Sequence, residues 1–97
     1  MKILAISKET KRVDWEKEEP TLKKEAAVVY GNYLSGKLRE IYFTEKSDAV
    51  LILECQDLRE AKRVVNRLPL VKRKIIAFEF MELNPYTGIS RIIDQNK

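Results

Sequence analysis

Leu38-Arg39-Glu40-Ile41-Tyr42-Phe43-Thr44 followed by Ala49-Val50-Leu51-Ile52-Leu53-Glu54-Cys55 is the stretch that decides the fold of this chain. The first run places Ile, Tyr and Phe in succession, side chains suited to a pleated surface. The second is almost continuously apolar, as a strand inside a sheet is. Only Glu45-Lys46-Ser47-Asp48 separates them, so the two runs read as adjacent strands joined by a polar hairpin.

Working outward, Asp57 caps a helix, with Glu60 three residues on as in a capping box, and Leu58, Ala61, Val64, Val65 and Leu68 form its buried stripe. Pro69 is expected to end it. Ile75 to Leu83 is a last strand, with Ile76, Phe78 and Phe80 on one face and Ile75, Ala77, Glu79 and Met81 on the other. Before the hairpin, Thr21 to Ser35 has helical spacing through Leu22, Ala26, Val29 and Tyr33, widened by Tyr30 and Leu34. Pro20 suits its first turn and Gly36 its left-handed stop, while Gly31 inside it points to close packing. Lys2 to Ser7 is the first strand. Residues 8–20 are dense in charge and read as a solvated loop in which Trp15 folds back onto the body or covers a pocket. The tail, 84–97, holds the turn Pro85-Tyr86-Thr87-Gly88 and an alternating Ile89-x-Arg91-x-Ile93.

The order β-α-β-β-α-β predicts an α+β, ferredoxin-like fold: two helices on one face of a four-stranded antiparallel sheet, in a single domain spanning 1–97. Both sheet faces are largely apolar, and two helices cover only one of them. Pairing two copies through the open face, into an α/β barrel, resolves the surplus. A homodimer or higher homo-oligomer is therefore expected, with 84–97 taking part in dimer contacts.

Composition narrows the chemistry. Charged residues make up 35% of the chain and 19 cations face 15 carboxylates, for a net charge of +4, which a mixed, solvated surface explains. No apolar run is long enough to span a membrane, and the start is too short for a signal peptide, so a cytoplasmic location is the default. Histidine is absent and Cys55 is the single cysteine. No internal disulfide can form, and no cofactor is expected: zinc and haem would lack their usual ligands. Cys55 reads as a buried small apolar residue. The stripe Arg59, Lys62, Arg63, Arg67, Lys72, Arg73 and Lys74 is basic, but the central strand, Ala49–Cys55, carries none of the aromatics on which a sheet stacks bases, so nucleic acid is not expected as a partner.

Glu54 and Glu79 interrupt the apolar face turned away from the helices. A carboxylate there must be paired, hydrated or protonated. Arg39 and Arg91 are the candidate partners. Two roles fit: an interior ion pair that fixes dimer register, or a polar anchor for a small ligand between the sheets.

Glu25-Ala26, Tyr33-Leu34-Ser35-Gly36, Arg39 to Phe43, Ala49 to Glu54, Glu60-Ala61, Leu68 to Val71, Phe78-Glu79 and Pro85 to Gly88, in this order and spacing, resemble the small muconolactone isomerase-like proteins of the dimeric α/β-barrel superfamily. The chain departs from their pattern at Arg73-Lys74, where a glycine is frequent, and at Thr44, where an arginine often follows the aromatic pair. The resemblance implies the fold, a dimer and a decamer built from dimers. It also implies that a lactone or enone is bound or isomerised in a cavity at the sheet face. Glu25 would be the catalytic base, and Tyr33, Tyr42 and Arg39 would be donors beside Glu54 and Glu79. The alternative is a structural or regulatory oligomer without catalysis.

Overall fold

A computed structural model describes residues 1–93. Its sheet is built from β1 (Lys2–Glu9), β2 (Leu38–Phe43), β3 (Ala49–Glu54) and β4 (Ile76–Leu83), in the order β2-β3-β1-β4 with every neighbouring pair antiparallel. Helices α1 (Glu19–Leu34), α2 (Leu58–Asn66) and the single-turn α3 (Pro69–Lys72) follow the strands they connect, and α4 (Ser90–Ile93) ends the described chain. This is the ferredoxin-like α+β arrangement.

The helix-facing side of the sheet holds the core. Ile3 and Ala5 on β1 are fully buried, and Leu51 and Leu53 on β3 lie beside them with Cys55 just beyond. From α2 come Ala61, Val64 and Val65, with Leu68 after it. Each Ile, Leu or Val among them taken from water contributes about 1.5–3 kcal/mol. Asp57 caps α2 by accepting from Glu60 N–H at 2.8 Å, and Glu60 in turn accepts from Gln56 N–H at 2.8 Å and Lys37 Nζ at 2.8 Å. These bonds hold the Glu60 carboxyl below its ordinary range, the Lys37 contact first.

Several expectations change. Pro69 does not simply stop α2: it opens α3, where its missing N–H costs nothing. Ile75 is buried in a second small cluster with Leu70 and Ile76, and β4 begins one residue later. The inward stripe of α1 is Leu22, Glu25, Val28 and Val29, whereas Tyr30, Tyr33 and Leu34 are exposed. Gly31 marks no close approach within the protomer, since a Cβ there would have open space around it. The alternating Ile89-x-Arg91-x-Ile93 falls largely in a helical turn, α4. The last four residues of the expected dimer-contact tail lie outside the described residues.

A register shift in β2, between Leu38 and Glu40, was not foreseen. The extra residue, Arg39, leaves Leu38, Ile41 and Phe43 all on the helix side and sends Glu40 and Tyr42 to the open side.

Lys74 adopts φ of 59°, the left-handed region that disfavours a side chain. It sits at the Arg73-Lys74 position where the resembling proteins often have glycine, and its carbonyl accepts a hydrogen bond from Thr10 Oγ1. Relieving a left-handed side chain is worth about 1 kcal/mol before the added freedom of the unfolded chain is subtracted. Lys74→Gly is expected to hold or raise the thermal midpoint, and a drop of several degrees in a melting curve would show that the lysine side chain is needed there.

Candidate functional site

Helix α1 lies against α3 and β2, and its Val28 and Val29 pack on the core cluster of the sheet. The space left under it, over the end of the sheet where β1 finishes and β4 begins, is a cavity of about 540 Å³. Its floor is the sheet, through Phe43, Ala49, Leu51 and Phe78, and its roof is α1, through Leu22, Ala26 and Val29. Trp15 closes one side and is 36% exposed, so the loop indole serves both the body and the pocket.

Glu25 projects into this mostly apolar space from α1. It is half-buried, and burial pushes its carboxyl above the ordinary 4.5, with the hydrogen bond from Leu70 N–H pulling the other way. Leu70 N–H donates to Oε1 at 3.0 Å. Leu70 follows Pro69 in α3, so its N–H is one of the orphan donors of a helix start, and the glutamate satisfies it from another helix. The second oxygen, Oε2, takes no hydrogen bond among the described residues.

Ser7 also lines the cavity and is buried, only 4% exposed. Its Oγ accepts from Ala49 N–H at 2.8 Å, which leaves the hydroxyl proton to be donated. Sequence reasoning passed over Ser7. The signal was present: on β1 the inward positions read Ile3, Ala5, Ser7, and a hydroxyl ending an apolar face needs a reason.

The other residues singled out from the sequence lie elsewhere. Glu54, Glu79 and Tyr42 are on the open face of the sheet, opposite the helices. Glu54 accepts from the Met1 amino group at 2.7 Å, which holds its carboxyl below the ordinary range, with Arg39 adding a weaker attraction. Arg39 Nε donates to the Gly36 carbonyl at 3.0 Å. Tyr42 Oη donates to Glu40 Oε1 at 2.7 Å, and that bond raises the phenol. Glu79 lies opposite Ile6, exposed, and Tyr33 is exposed on the outer side of α1. Arg91, the other expected cation, is on the exposed α4. Cys55 is buried, and burial raises its thiol. Among the described residues no three acidic or thiol groups are gathered as a metal would need.

Replacing Glu25 separates its two contributions. Glu25→Gln keeps an oxygen for Leu70 N–H and should fold normally, whereas Glu25→Ala should cost about 1 kcal/mol for the lost cap. The buried acid prefers its proton in the folded state, so the stability that proton supplies is complete below pH 4.5 and is lost as pH rises through the higher folded value. Melting curves of Glu25→Gln and wild type are therefore expected to diverge in favour of the variant as pH is raised above 4.5, and a constant gap would show that Glu25 titrates normally.

No protein-family model matches the chain, and a search of the curated proteins gave no significant match. No helix among the described residues is long and apolar enough to cross a membrane. Among solved structures, the chain is similar to 5-chloro-2-hydroxyhydroquinone dehydrochlorinase (TftG) from Burkholderia phenoliruptrix AC1100, in complex with 2,5-dihydroxybenzoquinone. The TM-score is 0.65 at 15% identity, covering 84% of this chain and 93% of that one, and the likeness is one of fold.

Proposed function

We propose that this protein binds a small ring-shaped carbonyl compound, of the lactone or enone kind, in the cavity beneath α1 and moves a proton on it with Glu25. The observation that carries this reading is a half-buried carboxylate with one free oxygen in a cavity walled mainly by apolar and aromatic side chains. Such a group is basic enough to take a proton next to a carbonyl and acidic enough to return it. Ser7 O–H is the donor within the same cavity that meets the negative charge on the carbonyl oxygen. The quinone ring held by the dehydrochlorinase of similar fold is a ligand of comparable kind.

In the simplest reaction, Glu25 removes a proton from the carbon beside the carbonyl. The electron pair shifts onto the oxygen, and the same carboxyl protonates the far carbon of the dienolate. The double bond moves into conjugation, with no atom gained or lost. Conversion of α-angelica lactone to its conjugated isomer, followed by proton NMR, tests this directly. Wild type is expected to accelerate it, and Glu25→Gln to lose about 100-fold or more of that rate. Equal rates in the two proteins would leave Glu25 with its capping role alone.

The second half of the proposal is assembly through the open sheet face. Leu4, Ile6, Val50, Ile52, Met81 and Leu83 form an apolar field there that no element among the described residues covers. Glu54, Glu79, Arg39 and Tyr42 then act at or beside the join, Glu79 fixing register or anchoring a ligand between the sheets. The segment after β4 supports the same reading: Tyr86 and Ile92 are 75% and 85% exposed, and it makes no hydrogen bond to the body among the described residues. Cytoplasmic location belongs to this reading too. Sedimentation is expected to give a dimer or larger, and Ile52→Lys the 11.4 kDa monomer. A wild-type monomer at micromolar concentration would contradict it and favour a site complete within one chain. An oligomer that binds nothing would favour the structural or regulatory alternative.

A further inference from the structure

The charged groups that line the cavity are all of one sign. Glu9, Glu25 and Asp48 line it, and among the described residues no lysine or arginine does. Asp48 is balanced from outside by Lys8, whose Nζ lies 2.6 Å from Oδ2. Lys8 itself alternates to the open face of the sheet, paired with Ala77, and presents nothing to the cavity. Glu9 and Glu25 form no ion pair among the described residues. A ligand entering beneath α1 therefore meets apolar and aromatic walls, the Ser7 hydroxyl and two uncompensated carboxyl groups.

A carboxylate is recognised by cations, above all by the forked donors of arginine. In a partly water-free space, like charges repel more strongly than at a surface. We infer that the cavity selects uncharged ring carbonyl compounds and rejects those that carry a carboxylate, so that an anionic lactone such as muconolactone is not its substrate. The inference rests on the reading of the cavity as the ligand site and adds the charge class of what it takes. Glu9 becomes a specificity-determining residue: it lines the cavity from the exposed end of β1 and has no part in the proton transfer.

A matched pair of probes tests this: coumarin, an uncharged aromatic lactone, and coumarin-3-carboxylate, its anion at pH 7. Binding is read by calorimetric titration and by the emission of Trp15, the single tryptophan, which lines the same cavity. Coumarin is expected to bind at least tenfold more tightly than the carboxylate. In the double variant Glu9→Gln, Glu25→Gln, the ratio of the two affinities should narrow about tenfold, the carboxylate gaining on coumarin. A carboxylate that binds wild type as tightly as coumarin, or a gap unchanged in the double variant, overturns the inference and leaves the ligand site standing. Failure of both probes to bind, with Trp15 emission unmoved, removes the ligand site itself.

Discussion

Helix α1 packs on the sheet through Val28 and Val29 but leaves one end of it uncovered, and the cavity depends on that gap. The helix is fixed at α3, where Glu25 accepts the Leu70 N–H at 3.0 Å, and along β2. Its inward side chains, Leu22, Glu25, Val28 and Val29, meet only part of the sheet beneath them. A helix packed squarely on β1 would bury more apolar surface and leave no cavity. Here the same carboxyl that accepts the hydrogen bond joining the helix pair also lines the space beneath it.

The two faces of the sheet solve different problems. On the helix side, strands β1 and β3 bury Ile3, Ala5, Leu51 and Leu53 completely or nearly so, which fixes strand order and register. A slip of one residue would turn that entire set outward. The β2 bulge at Arg39 extends the arrangement by turning Ile41 and Phe43 to the cavity side, where they form part of its wall. On the open side the apolar field is of similar chemistry but without a cover among the described residues; there Glu79 is exposed, and Glu54 is partly exposed and paired with the Met1 amino group. A chain of 97 residues has a modest core, and the second copy proposed for this face would enlarge it.

Strand alternation, the capping residue Asp57 and the punctuation by Pro20, Gly36 and Pro69 are local properties, and they made the element order readable from the sequence. The strand assignments at Lys2–Ser7, Leu38–Thr44, Ala49–Cys55 and Ile75–Leu83 differ from β1–β4 by one or two residues at their ends. Pairing Glu54 and Glu79 with the open face also followed from period-two alternation alone. Helix 1 was read less well. Its tyrosines, Tyr30 and Tyr33, share the spacing of a buried stripe, yet the helix turns Glu25 inward and leaves them exposed. Periodicity reports that a face exists but not which of two overlapping faces meets the sheet.

By itself the sequence determined the ferredoxin-like order, the surplus apolar sheet face and the absence of histidine from any chemistry. Each of these depends only on residue identity and on neighbours close along the chain. Tertiary structure decided where the cavity lies. Ser7, Trp15, Glu25, Phe43 and Phe78 come from four separate elements and a loop, and no spacing in the chain records that they converge. The Arg39 bulge and the placement of α1 bring them together, and both arise from packing between segments distant in sequence. Within the protomer a cavity lies beneath α1, and Glu25, one charge among many on a helix, is a half-buried acid facing that apolar space.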